Sequence, residues 1–393
     1  MASIRSLRLV AFGMCALLGI APTPQPLRWV GTWESAPVWA DPAATFTDVT
    51  LREVIHASIG GSRVRVRFSN TFGTQPLTIA RASIALRQRD AQAGSIPLAL
   101  TFGGFASIVV PPGAQVLSDP VDLRVPARRD LLISLYLPGP TGPATEHVLA
   151  FQTNYATQGD HVSDMSGAVF STTYTTWYFL SGVDVATTRP AQALVAFGDS
   201  ITDGARSRPN ENGRWPDVFA SRAQGIGVLN AGISGNRILR DGGDYGVDAL
   251  ARFDRDALTQ TGVRTVIVLL GINDIQQRPR EADPARIEAG LLQLTTQAHE
   301  RGLSVLIGTL MPVEGSYAYS PQIEATREAV NRFIRASRMF DGVCDFDKAL
   351  RDPSDPHRLL PAYDGGDHLH PSPAGLRVMG ELVYEKCFPT RRV

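Results

Sequence analysis

The residue types able to do covalent chemistry fall into four short blocks. The first is Gly198-Asp199-Ser200-Ile201-Thr202-Asp203-Gly204, entered from an apolar run at 193–197. A buried strand ending in such a turn presents a serine hydroxyl at the carboxyl end of a sheet, where open α/β sheets keep their ligand crevices. Taken alone, a Gly-Asp-Ser sequence after a strand is most often just a turn. The other blocks are Asn230-Ala231-Gly232-Ile233-Ser234-Gly235-Asn236-Arg237, Gly271-Ile272-Asn273-Asp274, and Asp364-Gly365-Gly366-Asp367-His368-Leu369-His370-Pro371. A serine hydroxyl is a weak nucleophile and needs a base that titrates near neutrality. His370 is such a group. Asp367, three residues earlier, is spaced to take a hydrogen bond from the second imidazole nitrogen, which fixes the tautomer and stabilises the imidazolium. Asp364 and His368 repeat these types at a different spacing. The His-x-His pair is also a zinc element, but the nearby carboxylates complete no familiar ligand set. Gly235 taken singly suits a turn, and Asn273 suits a loop cap. The Gly-x-Ser-x-Gly elbow of α/β-hydrolases is absent; Gly232-x-Ser234-Gly235 misses it by one residue.

The elements that must position these blocks alternate strand with helix. Strands are expected at 193–197, 226–229, 265–270, 303–309 and 342–346. Helices are expected at 215–224, 247–258, 283–300, 321–338 and 373–385. The third strand is β-branched and almost wholly apolar, as in a parallel strand covered on both faces. Pro216, Pro284 and Pro373 sit where helices begin, and Asp283 is a candidate N-cap. Such alternation predicts a doubly wound parallel sheet of five strands. Every block then follows a strand, which gathers all four at one edge of the sheet.

Together, in this order and spacing, the four blocks resemble the SGNH (GDSL) hydrolase family of serine esterases over residues 191–387. The resemblance implies a flavodoxin-like α/β fold and a triad of Ser200, His370 and Asp367. It also implies an oxyanion hole made of the Ser200 and Gly235 backbone N–H groups and the Asn273 side-chain amide, with no cofactor and no metal. Asp199, Thr202, Asp203 and Asp274 are then left to organise turns and helix starts. The loops at 242–245 and 314–320 are expected to shape the crevice.

The remainder of the chain is of another kind. Residues 27–185 read as a β-sandwich or jelly roll, with strand candidates at 51–59, 62–68, 77–86, 98–102, 106–110, 121–125 and 131–137 separated by Gly/Pro turns. Gly60-Gly61 reads as a hairpin turn. The alternating Arg63, Arg65 and Arg67 read as a solvated sheet face, and Tyr174, Trp177, Tyr178 and Phe179 as core or interdomain packing. Residues 186–190 look like a linker. The first 21 residues, with Arg5 and Arg8 ahead of a short apolar stretch, resemble a secretory signal. That leaves Cys344 and Cys387, either as a disulfide or as two buried thiols.

The chain has 393 residues, 44% hydrophobic and 19% charged, with 38 basic and 38 acidic side chains. This balance lacks the basic excess of a nucleic-acid binder. The combined reading is a secreted or periplasmic ester hydrolase acting on short-acyl esters of carbohydrates or aryl alcohols. Its alternatives are a lipase, lysophospholipase or thioesterase for longer chains, and an inactive carbohydrate-binding protein.

Overall fold

The computed structural model describes residues 26–388; the expected signal segment lies outside them. Among the described residues no helix is long and apolar enough to cross a membrane.

The second half forms one five-stranded parallel sheet. Its spatial order is Ile226–Gly232, Gln192–Gly198, Val263–Leu269, Ser304–Gly308, Gly342–Cys344. Gln192–Gly198, first of these in the chain, therefore lies between the second and third. Successive connections leave it toward opposite sides, and this switch point opens a crevice at its carboxyl end. The strand interior, Ala193 to Phe197, is almost fully buried, as its wholly apolar sequence requires. Helices Trp215–Arg222, Pro284–Glu300, Pro321–Ala336 and Pro373–Leu382 cover the sheet. Ser320 and Ser372 cap the last two through their hydroxyls, and Asp283 caps Pro284–Glu300 as its sequence indicated. Cys344 and Cys387 are joined in a disulfide with Cα atoms 5.3 Å apart. It ties the edge strand to the π-helical turn Val383–Cys387 that ends the last helix.

The first half is all β. A seven-stranded antiparallel sheet is built around Val49–Ala57, Arg129–Leu137 and Arg81–Arg89. A four-stranded one contains Arg28–Glu34, Leu180–Thr187, Arg63–Ser69 and Gln115–Leu117. Their inward residues, among them Leu51, Ile55, Val64, Val66, Phe68 and Ile133, join one apolar core that continues into the parallel-sheet half.

Several local expectations change in this setting. Gly60-Gly61 does not close a hairpin, because Val49–Ala57 and Arg63–Ser69 belong to different sheets. The glycines instead let the chain pass close to other backbone. A Cβ at Gly60 would lie 2.4 Å from the Val125 carbonyl oxygen, and one at Gly61 2.5 Å from that of Ala186. The expected strand at 77–86 divides at Ala80 into two strands that pair in separate sheets. Residues 121–125 make only isolated bridges.

Arg65 and Arg67 do not lie on a solvated face, whereas Arg63 stays partly exposed in an ion pair with Asp122. Arg65 Nε donates to Asp184 Oδ2 at 2.9 Å and its Nη2 reaches Thr261 Oγ1 at 3.5 Å, while Arg67 Nη1 donates to Gln260 Oε1 at 2.7 Å, so both face the parallel-sheet half. Ala186 and Thr187 complete a strand rather than a linker. Further bonds cross the junction: Gly31 N donates to the Thr261 carbonyl (2.9 Å), and Val228 N to Ser58 Oγ (2.9 Å). The aromatic cluster is packing, with Trp177 edge-on to Trp33 at 5.0 Å and its indole N–H on the Val54 carbonyl.

Candidate active site

Ser200 opens a single helical turn, Ser200–Asp203, directly after the central strand. Asp199 caps the turn by accepting from Ile201 N at 3.1 Å. Gly204, at φ 113°, ends it. The fourth block lies on the loop before the last helix and reaches back to this turn. Ser200 Oγ is 2.8 Å from His370 Nε2, and His370 Nδ1 is 2.8 Å from Asp367 Oδ2. The three predicted residues thus form one continuous hydrogen-bonded chain. Asp367 Oδ1 also accepts from the backbone N–H groups of Leu369 (3.1 Å) and His370 (2.9 Å), and Arg206 Nη2 donates to Oδ2 at 2.7 Å. Burial pushes the Asp367 carboxyl up, but these donors outweigh it and hold the group far below the usual carboxylate range.

Gly235 and Asn273 are brought together by a small network. Asn273 Nδ2 donates to the Asn236 carbonyl at 3.1 Å. Its Oδ1 accepts from Gln276 Nε2 (2.9 Å) and Gln277 Nε2 (3.1 Å), which fixes the orientation of the amide. Gln277 Nε2 also donates to the Gly235 carbonyl at 3.0 Å, linking the two blocks. Gly235 has φ 81°, and a Cβ there would lie 2.5 Å from the Tyr245 ring. Only glycine is compatible with both the left-handed backbone and that close ring. Asp274 accepts from the Ile238 and Leu239 N–H groups and so holds the exit of the second block.

His368 does not join His370. Its Nδ1 is bound to Asp364 Oδ2 at 2.5 Å, so the two imidazoles have separate carboxylate partners. Both expected rim loops flank the site: Tyr245 lies on Gly235, and a Cβ at Gly315 would lie 2.9 Å from His368 Cγ. Tyr245 and Tyr317 are exposed.

Three supporting residues escaped the sequence reading. Arg252 is fully buried and donates to the Gly198 carbonyl (2.9 Å), the Ala231 carbonyl (2.9 Å) and Asn236 Oδ1 (3.0 Å). It pins the ends of two strands and the second block around one guanidinium. Burial pulls its pKa down to about 10 even though Asp256 opposes this. Apart from Asp256 one helical turn on, nothing local marks it, since its partners come from the first and second blocks. Gln276 and Gln277 carried a usable signal, standing three and four residues beyond Asn273 on one helical face.

Asp199 is buried, and its Oδ2 has no hydrogen-bond partner. Burial, reinforced by the Asp274 and Asp203 charges and opposed by the Ile201 N–H, raises its pKa to about 7. Burial likewise raises Asp274 to about 6. Between the unfolded value of about 3.9 and about 7, the folded chain retains a proton at Asp199 that the unfolded chain has released. This contribution to stability therefore declines as pH rises through that window. Asp199→Asn keeps an oxygen for Ile201 N and removes the titration. Its Tm relative to the parent is expected to rise between pH 5 and pH 8, measured by thermal unfolding. An offset independent of pH would refute the assignment.

Residues 196–378 match the GDSL-like lipase/acylhydrolase family. An acetylxylan esterase from Geobacillus stearothermophilus is 24% identical over 214 residues, which span 48% of this chain and 90% of that protein. Among solved structures, an aryl esterase of M. smegmatis is 21% identical, with a TM-score of 0.39, over 50% of this chain and 97% of that one. A carbohydrate acetylesterase from Sinorhizobium meliloti is 19% identical, with a TM-score of 0.38, over 50% of this chain and 97% of that one. The strand ends, their four blocks and this match lead to one conclusion: residues 196–378 are a GDSL-like lipase/acylhydrolase domain, and the chain that carries it is an esterase.

Proposed function

We propose that the protein is a secreted serine ester hydrolase that removes short acyl groups, acetyl above all, from carbohydrate or aryl alcohols through an acyl-enzyme. The observation that carries this reading is the unbroken chain from Ser200 Oγ through His370 to Asp367, with 2.8 Å at each link. As Oγ attacks the ester carbonyl, His370 Nε2 takes its proton, and the carbonyl π pair moves onto oxygen. That oxyanion is met by the N–H groups of Ser200 and Gly235 and by the second N–H of the Asn273 amide. Collapse expels the alcohol, which receives the proton from His370. Water then repeats the sequence on the acyl-serine, and Asp367 steadies the imidazolium in both halves.

The preference for a carbohydrate acetyl ester is supported by the acetylxylan esterase relative and by the rim. The exposed large side chains there are Tyr245 and Tyr317 rather than aliphatic ones, and tyrosine combines an apolar face with a hydroxyl. Export is supported by the Cys344–Cys387 disulfide, a bond that persists in oxidising compartments.

The direct test is acetate release from acetylated xylan, alongside 4-nitrophenyl esters of increasing chain length. The acetyl ester is expected to be hydrolysed fastest; a rate that climbs toward octanoate would favour a lipase instead. Absence of fluorophosphonate labelling would favour the inactive binding protein. Asn273→Ala removes one oxyanion donor and should lower kcat for 4-nitrophenyl acetate by about 10²–10³-fold. A variant with unchanged kcat would remove Asn273 from the site.

A further inference from the structure

His147 belongs to the all-β half, on strand Ala144–His147, yet its ring is buried against the turn that carries Ser200. Nδ1 lies 2.9 Å from the Ala36 carbonyl oxygen, and Nε2 lies 3.1 Å from Asp203 Oδ1. A carbonyl can only accept, so Nδ1 carries a proton. Asp203 Oδ2 already accepts from Ser234 N (3.0 Å) and Ser234 Oγ (2.6 Å), which leaves Oδ1 to face the ring. Nε2 and Oδ1 share one proton, and the contact is strongest in its charge-assisted form, imidazolium against carboxylate. Burial disfavours that charge, but attraction to Asp203 and the two hydrogen bonds outweigh it despite nearby Arg214, and the pKa is raised. Trp177, with its ring centre 5.7 Å from that of His147, closes the site on one side, and the Arg214 guanidinium lies over the same indole.

Asp203 is thus the hub between three parts of the molecule. It is the last residue of the helical turn that Ser200 begins. It grips Ser234, the residue directly before Gly235, and its other oxygen is held from the β half. We propose that His147 is a positioning residue for ester hydrolysis: its ring, held on the Ala36 carbonyl, orients Asp203, and through Ser234 this sets the Gly235 N–H where negative charge develops on the substrate oxygen. The inference rests on Ser200 as nucleophile and Gly235 as oxyanion donor. It gives the β half a part in the reaction, in keeping with its direct attachment to the sheet without a free linker.

The test uses the full chain with 4-nitrophenyl acetate. His147→Ala should lower kcat by about 10- to 100-fold with KM within about twofold, because small displacements of a transition-state contact are felt in kcat. His147→Gln, whose amide reaches Asp203 as a neutral donor, should recover most of the loss. Ser234→Ala, which removes the hydroxyl at the other end of the link, should reproduce it. The His147→Ala/Ser234→Ala double variant should be no worse than the poorer single, as for two residues in one pathway.

Unchanged kcat in folded His147→Ala, or losses that multiply in the double variant, would overturn the proposal. If His147→Ala does not fold, His147→Leu and Ser234→Ala decide by the same rule, with multiplied losses in their double variant against it and a shared loss for it. Ser200→Ala is run in parallel. Activity surviving there would sink the nucleophile assignment, whereas an inactive Ser200→Ala beside an unaffected His147→Ala would sink only the positioning role.

Discussion

Ser200→Ala is expected to lower kcat for 4-nitrophenyl acetate on the order of 10⁶-fold, the scale of loss when the serine of such a triad is removed. No neighbouring hydroxyl is placed to substitute. Ser234 Oγ is bound to Asp203, and Thr202 Oγ1 accepts from the Trp215 indole N–H at 3.3 Å. The variant loses one hydrogen bond, to His370, at a half-buried position. That costs about 1 kcal/mol, so Tm should barely move and the loss of rate will not be a folding effect. His370→Ala should fall almost as far, and the double variant no further, because the two act as one unit. A fluorophosphonate should label the parent and leave Ser200→Ala unlabelled. Retention of more than about a hundredth of the parent rate would be incompatible with Ser200 as the nucleophile.

Asp367→Asn should cost about 10⁴-fold in kcat with the fold intact. The carboxylate accepts on both oxygens: backbone N–H groups on Oδ1, the imidazole and Arg206 on Oδ2. An amide must turn its NH₂ toward one of these sets. Toward Oδ2 it faces Arg206 and makes His370 present an acceptor at Nδ1, which moves the proton to Nε2, where the base should be free. Toward Oδ1 it opposes two backbone donors. Either way the tautomer or the loop geometry is wrong.

The depressed pKa of Asp367 also gives a sign to the stability change. A carboxylate held below its unfolded value of about 3.9 stabilises the fold above that pH, and the contribution fades as pH falls through the folded value. The Tm deficit of Asp367→Asn should therefore be larger at pH 6 than at pH 3. A deficit of the same size at both would mean that the carboxylate charge contributes nothing. An Asn variant within about tenfold of the parent kcat would remove Asp367 from the triad.

Much of the site was legible because its geometry is locally encoded. Asp367 and His370 share a loop and sit three residues apart, so a spacing rule suffices to pair them. Ser200 follows a strand whose apolar sequence marks it as central. All five parallel strands lie where alternation of apolar runs and helical patterns put them, within a few residues. The short helices Ile272–Gln276 and Phe346–Leu350 were not anticipated; each is little more than one turn, too brief for a 3.6-residue period to register.

The features that differ depend on how distant segments pack, through what covers a face or which sheet a segment joins. Arg65 and Arg67 sit on a strand whose alternation says only that they share a face. Whether that face meets water or Thr261 and Gln260 is decided by the packing of the two halves. Gly60-Gly61 has the composition of a hairpin, but the strands on either side enter different sheets.

The sequence by itself determined the order of the strands, the residue types at their ends and hence the class of chemistry, since these depend on short-range periodicity and spacing. Only the tertiary structure decided which buried charges serve the site. Arg252 joins Gly198, Ala231 and Asn236, and His147 reaches Asp203 from the other half of the chain. Their physical basis is non-local. A buried charge must find its hydrogen-bonding partners within the fold, and those partners become neighbours only when distant segments pack.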